Sequence, residues 1–101
     1  MREAAGTLEG FGCVAAFVAA DAAAKAANVL IESIDKNKPA NADSLPVPLI
    51  TCLKIRGSVA DVEAAMEAGA AAAEALTGVI TKHIIPAPAE DTEKMLRISA
   101  I

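Results

Sequence analysis

Apolar residues recur along this chain with two alternating spacings. From Phe11 they return every three or four positions, at Phe11, Val14, Val18, Ala22 and Ala26, the mark of one helical face that ends near Asn28. Glu3 to Glu9 precedes it as a short opening strand, with Gly6 and Gly10 around Thr7 and Leu8. Val29 to Asp35 is rich in β-branched residues and predicts a second strand, and Leu49 to Ile55 predicts a third. Arg56-Gly57-Ser58 then turns the chain, and Ser58 suits the N-cap of a helix that starts at Val59. That helix carries the clearest stripe of the sequence, Val59, Val62, Met66, Gly69, Ala73 and Leu76, which predicts a core-facing seam. Thr77-Gly78 stops it. Val79 to Ile85 predicts a fourth strand, closed by Pro86-Ala87-Pro88, and Ala89 to Ile98 predicts a short last helix capped by Asp91 or Thr92.

Between the second and third strands, Lys36 to Pro48 breaks both patterns. The segment reads KNKPANADSLPVP, with prolines at 39, 46 and 48 and no glycine. Proline fixes φ and removes a backbone donor, so this segment is neither a helix interior nor a central strand. Loops of such length in a small domain are usually functional or disordered. The element order is strand, helix, strand, strand, helix, strand, short helix. It predicts an α+β fold of the split βαβ, ferredoxin-like kind, in which two main helices cover one face of a four-stranded, mainly antiparallel sheet. The other sheet face is expected to be bare and to be covered by oligomerisation.

Composition adds a constraint on packing. Of 101 residues 25 are alanine, and Tyr and Trp are absent. A chain of this length makes one domain, residues 1–101, with one core. Alanine buries little area, so the core is modest and the layers are close, which points to subunit contacts as a supplement. The net charge is -4 and the sequence shows no basic stripe of the kind nucleic-acid binding normally needs, so no nucleic-acid partner is expected. The uncharged stretch from Gly10 to Ala20 is too short to span a bilayer, and no leader is evident, so the expected location is the cytoplasm, with no membrane partner. Cys13 and Cys52 belong to no metal-binding or redox motif and are expected to be buried free thiols.

Catalytic groups do not converge in the sequence. His83 is the single histidine and has no neighbouring Ser or Cys to form a dyad. Glu32 and Asp35, three apart on a strand, are expected on opposite faces. No phosphate-binding glycine loop or metal-ligand spacing is present, and no cofactor is expected.

Longer runs carry a resemblance. Glu3 to Val29 reads EAAGTLEGFGCVAAFVAADAAAKAANV, and it is followed by Arg56-Gly57, by VADVEAAMEAGAAAA from Val59 to Ala73, by VITKHIIPAP from Val79 to Pro88, and by Asp91 to Leu96. In order and spacing these runs resemble the single-domain, hexamer-forming shell proteins of bacterial microcompartments. The resemblance implies a structural subunit and not an enzyme. Such subunits form flat cyclic homo-hexamers that tile, with other shell proteins, into a shell around encapsulated enzymes, and an axial pore passes small metabolites. It also implies edge roles for Lys25 and Asn28, at the contact with the next hexamer. Ala87 stands where the family carries an arginine that reaches into the adjacent hexamer, so the lateral contact is expected to be weaker or built differently.

The pore position departs from the family as well. A short glycine-rich turn after a lysine frames the family's pore. Here Lys36 matches the lysine, but Lys38 to Pro48 forms a longer, glycine-free segment. The resemblance makes Lys36, Asn37, Lys38, Asn41, Asp43 and Ser44 the pore-lining candidates. Three outcomes stay open for the loops: they fold over the axis and narrow it, they project outward and widen it, or they vary without consequence for transport. Crowding around a common axis favours the first. The alternative function from sequence is a ligand-binding regulatory module of ferredoxin-like fold, and an enzyme using His83 at a subunit interface is a third.

Overall fold

The computed structural model describes residues 3–101. Its elements follow the predicted order: β1 Ala4–Phe11, α1 Cys13–Ala26, β2 Leu30–Asn37, a 3-10 turn Ala42–Ser44, β3 Ile50–Gly57, α2 Val59–Glu74, β4 Val79–Ile85 and α3 Glu90–Leu96. The sheet order is β2-β3-β1-β4, and every neighbouring pair is antiparallel. The fold is the α+β arrangement read from the sequence.

Local chemistry explains the boundaries. Ser58 Oγ accepts a hydrogen bond from Asp61 N at 3.1 Å and so caps the start of α2. At its other end, the amides of Leu76, Thr77 and Gly78 all donate to Ala73 O, and Gly78 takes φ 112°, a conformation that glycine adopts without steric cost. Helix α1 ends two residues earlier than predicted, because Ala27 is already extended. Helix α3 has Ala89, not Asp91 or Thr92, at its N-cap position. No side chain caps it, and instead Glu90, Asp91 and Glu93 place negative charge in its first turn, opposite the positive end of the helix dipole.

Helices α1 and α2 cover the sheet face that carries Leu8, Leu53 and Ile55. Seven of the 13 residues in this core are alanine: Ala4, Ala16, Ala19, Ala20, Ala23, Ala65 and Ala73. Small side chains let the two helices approach closely. A Cβ on Gly69 would meet the carbonyl oxygen of Ala19 at 3.1 Å, so glycine at that position sets the separation. A Cβ on Gly6 would sit 2.8 Å from Met66 Sδ and 2.9 Å from Val62 Cγ1, so α2 rests directly on β1.

The predicted stripe of α1 is reversed. Val14 is 71% exposed, Phe17 50% and Val18 41%, whereas Ala15, Ala16, Ala19, Ala20 and Ala23 are buried. Both faces of α1 satisfy the helical period, and the narrow space above the sheet admits only the alanine face. The seam of α2 is closer to expectation. Val62, Met66, Gly69 and Ala73 are buried, but Val59 and Leu76 at its ends are exposed.

The second sheet face is not bare. Cys52, Lys54 and Arg56 alternate onto it from β3, and α3 with the C-terminal residues crosses it, held by Ser33, Lys54 and Arg56. A register shift between Ile31 and Ser33 bulges β2 at Glu32. The bulge changes the alternation, so Glu32 reaches Arg56 at 3.7 Å and shares this face with Asp35, the cross-strand partner of Cys52. The expectation that Glu32 and Asp35 lie on opposite faces is therefore incorrect.

Candidate functional site

The site residues predicted from sequence fall into two sets at opposite ends of the molecule. At one end the β2–β3 hairpin pairs Lys36 with Thr51 and Asn37 with Ile50, beside Phe11 at the end of β1. The strand thus runs two residues further than predicted, and the connecting segment starts at Lys38. Lys36, Asn37, Lys38, Asn41, Asp43 and Ser44 are all exposed there. The segment is folded. Ala42 N donates to Pro39 O at 3.1 Å, and Ser44 bonds Asn41 O through both its amide and its hydroxyl, at 2.9 and 2.7 Å.

The second half of the segment is pinned to its own domain. Val47 Cγ1 lies 3.2 Å from where a Cβ on Gly12 would stand, and Gly12 N donates to Leu49 O at 2.9 Å. Gly12 itself adopts φ 88°, which favours glycine, and its carbonyl accepts from Thr51 Oγ1 at 3.3 Å. The loop therefore leans on the junction of β1 and α1.

Lys25, Asn28 and Ala87 occupy the other end. Asn28 O lies 3.1 Å from where a Cβ on Gly57 would stand, and Ala87 follows Ile85, which pairs with Ala5. Lys25 sits in the last turn of α1, whose 14 residues span roughly 21 Å at 1.5 Å per residue. Its side chain is 75% exposed, and its ammonium meets Asp21 Oδ2 at 2.7 Å. Asp21 was missed in reading the sequence, although its i, i+4 spacing to Lys25 is a legible signal. Ala87 is exposed between Pro86 and the fully buried Pro88.

Two hollows lie nearby. A groove of about 220 Å³ under the hairpin end is lined by Glu9, Asp35, Lys36, Asn37, Ile50 and Cys52. Pairing across three strands places Glu9, Cys52 and Asp35 in one row, and Asp35 Oδ1 accepts from Lys36 N at 2.8 Å. Burial pushes the Cys52 thiol above its ordinary value; Lys54 opposes this, while the carboxylates of Glu9 and Asp35 add to it. Cys13 and Cys52 are both free, and both are half-buried, not fully buried as expected. A larger cleft of about 480 Å³ lies between α2 and β4, with Glu63, Met66, Glu67, Lys82, His83 and Ile84 around it. None of these side chains is a hydroxyl or thiol nucleophile. Among the described residues no group of three or more His, Cys, Asp and Glu is arranged to hold a metal ion, and no helix is long and apolar enough to cross a membrane.

Residues 4–88 match the model of the BMC domain. The chain belongs to the BMC-domain family. It is 41% identical over 95 residues to the bacterial microcompartment shell protein PduA of Citrobacter freundii, a match covering 94% of this chain and 92% of that protein. It is 36% identical over 96 residues to the shell protein EutM of Escherichia coli, covering 95% and 90%. A carboxysome shell protein of a Halothece species is 38% identical over 101 residues, covering 98% and 90%. The fold is shared with a microcompartments protein from Desulfitobacterium hafniense, at TM-score 0.71 and 24% identity, over all of this chain and half of that one. The relatives from Citrobacter freundii, Escherichia coli and Halothece are shell proteins of bacterial microcompartments or of a carboxysome.

Proposed function

We propose that this chain is a shell subunit of a bacterial microcompartment in the cytoplasm, closing into a cyclic homo-hexamer with the β2–β3 hairpin ends around the axis and the Lys25 end at the rim. The observation that carries the reading is the segregation of the two residue sets. The exposed hairpin end and the Lys25, Asn28 and Ala87 end are separated by the length of α1 and of the strands. A subunit with one inner and one outer end can serve a central opening and a lateral contact at once. The large apolar side chains that α1 leaves exposed, Val14, Phe17 and Val18, agree with a domain that depends on neighbours.

In this arrangement Lys36, Asn37, Lys38, Asn41, Asp43 and Ser44 line the passage for small metabolites. Rings of such side chains decide what a pore admits. The segment from Lys38 narrows the opening, stiffened by Pro39, Pro46 and Pro48 and anchored through Val47. Its partners are further copies of itself, other shell proteins and the enclosed enzymes.

The test is light scattering on the purified protein followed by imaging of the assembly down its axis. A mass near six times 10.2 kDa and density over the axis are expected. A monomer or dimer overturns the hexamer, and an unobstructed axial channel with the hexamer intact overturns the narrowing. Replacing residues 39–47 by a short glycine turn is expected to keep the hexamer, since Asn37 and Ile50 still pair, and to widen the opening.

A further inference from the structure

The segment that crosses the second sheet face is attached differently from the rest of the fold. Beyond the buried Pro88, the chain from Glu90 to Ile101 runs from the β4 edge, beneath β3, to the outer edge of β2. Its attachments are polar. Arg56 donates from Nη1 and Nη2 to the two carboxylate oxygens of Glu93 at 2.6 and 2.8 Å. Lys54 Nζ donates to Ile98 O at 2.8 Å and to Met95 O at 3.3 Å, and Ser33 Oγ donates to Leu96 O at 2.6 Å. At the β2 edge, Ala100 N donates to Ile34 O at 3.0 Å, and Ser99 Oγ exchanges hydrogen bonds with both Ile34 N and Ile34 O.

Two properties of this contact stand out. The sheet side is a socket of donors, Ser33, Lys54 and Arg56, each less than a tenth exposed. The strap meets those three side chains only with acceptors, a carboxylate and main-chain carbonyls. Apolar anchoring is meagre, because Leu96 is the one buried residue of α3 while Met95, Ile98 and Ile101 remain 61%, 46% and 45% exposed. A segment with one buried aliphatic side chain opens at lower free energy than the sheet it rests on. Opening returns the donors to water and leaves no buried unpaired group. Arg56 also keeps Glu32 and the carbonyls of Glu3 and Ala4.

We propose that the Ser33, Lys54 and Arg56 socket is a docking site for an acidic, carboxylate-bearing peptide segment, with residues 90–101 as a releasable resident strap, and that its occupant in trans is the same strap of a second copy. Charge and donor-acceptor complementarity select this occupant, since the strap already offers an acceptor to each of the three socket side chains, a carboxylate to Arg56 and main-chain carbonyls to Lys54 and Ser33. The bidentate Arg56 contact demands a carboxylate of the Glu93 kind. Reach permits the exchange: freed at Ala89, the strap spans about 3.3–3.6 Å per residue when extended, and the subunit measures 42 Å along its longest axis.

The experiment titrates a labelled peptide of residues 89–101 into the full-length chain. A Glu93→Gln chain has a weaker competitor of its own and is expected to bind the unaltered peptide ~10-fold more tightly than the unaltered chain does, because a charged hydrogen bond has been removed from the resident strap only. A Glu93→Gln peptide is expected to lose that gain. Equal affinity of the two chains, or of the two peptides, overturns the proposal. Hydrogen exchange on the unaltered chain is an independent check, whatever the stability of the variant. Amides of residues 93–100 are expected to exchange at least ~10-fold faster than those of β3, and exchange of both segments in one cooperative step overturns a releasable strap.

Discussion

Cys52 shows how a single side chain takes its character from cross-strand neighbours. Its thiol faces Glu9 and Asp35, and burial is the largest influence on it. All three effects disfavour the thiolate, against Lys54 alone. The thiolate is the nucleophile, so alkylation of Cys52 by iodoacetamide at neutral pH is expected to be several-fold slower in the folded chain than in urea, read by mass spectrometry of the peptide. The sign for stability follows: a folded state that holds the proton more tightly loses that advantage as pH rises through and above the ordinary thiol value of 9.0. Rapid labelling at neutral pH would contradict this account. At the other end of the molecule, Lys25 is exposed and paired with Asp21. Such an ion pair contributes about 0.3–0.5 kcal/mol, so Lys25→Ala is expected to leave folding and hexamer mass unchanged and to abolish extended sheets in electron micrographs, if Lys25 makes the edge contact.

At the level of elements, glycine and alanine decide spacing. Gly69→Ala gains helix propensity of about 1 kcal/mol but sets a methyl group 3.1 Å from the carbonyl oxygen of Ala19, a backbone atom of a packed helix. Overpacking of this kind costs about 1–3 kcal/mol, so a net loss of stability is expected in urea denaturation, seen as a lower midpoint with unchanged slope. A stabilised variant would show that α1 yields. The helix periods themselves were legible in the sequence, and so were Ser58 as a cap and Gly78 as a stop. The facing of α1 was not. Val14 and Val18 recur with the same period as Ala15, Ala19 and Ala23, and periodicity cannot choose between two stripes of one helix. The choice belongs to the close approach of α1 to α2 and the sheet, where Gly69 lies against Ala19 and Ala23 and only small side chains fit between the layers. The Glu32 bulge was equally hidden, because strand alternation read from sequence assumes an unbroken register.

For the whole molecule, chain order and motif runs were enough to give the α+β fold, the family and the expectation of a shell subunit. Local propensity, turn chemistry and the spacing of long runs are properties of consecutive residues, so they can be read without coordinates. The candidate residues were legible as two separate lists, one around Lys36 to Ser44 and one at Lys25, Asn28 and Ala87. Their placement at opposite ends of one domain came from strand pairing, which joins residues distant in sequence. The same cause explains what else the sequence left open. Whether the second sheet face is bare depends on where a polar C-terminal segment docks, and that docking is fixed by Arg56 and Lys54 meeting Glu93 and the carbonyls of Met95 and Ile98 from about 40 residues away. Consecutive residues set the elements of this protein; contacts between distant residues set which face each element buries, what covers the sheet, and how close the layers lie.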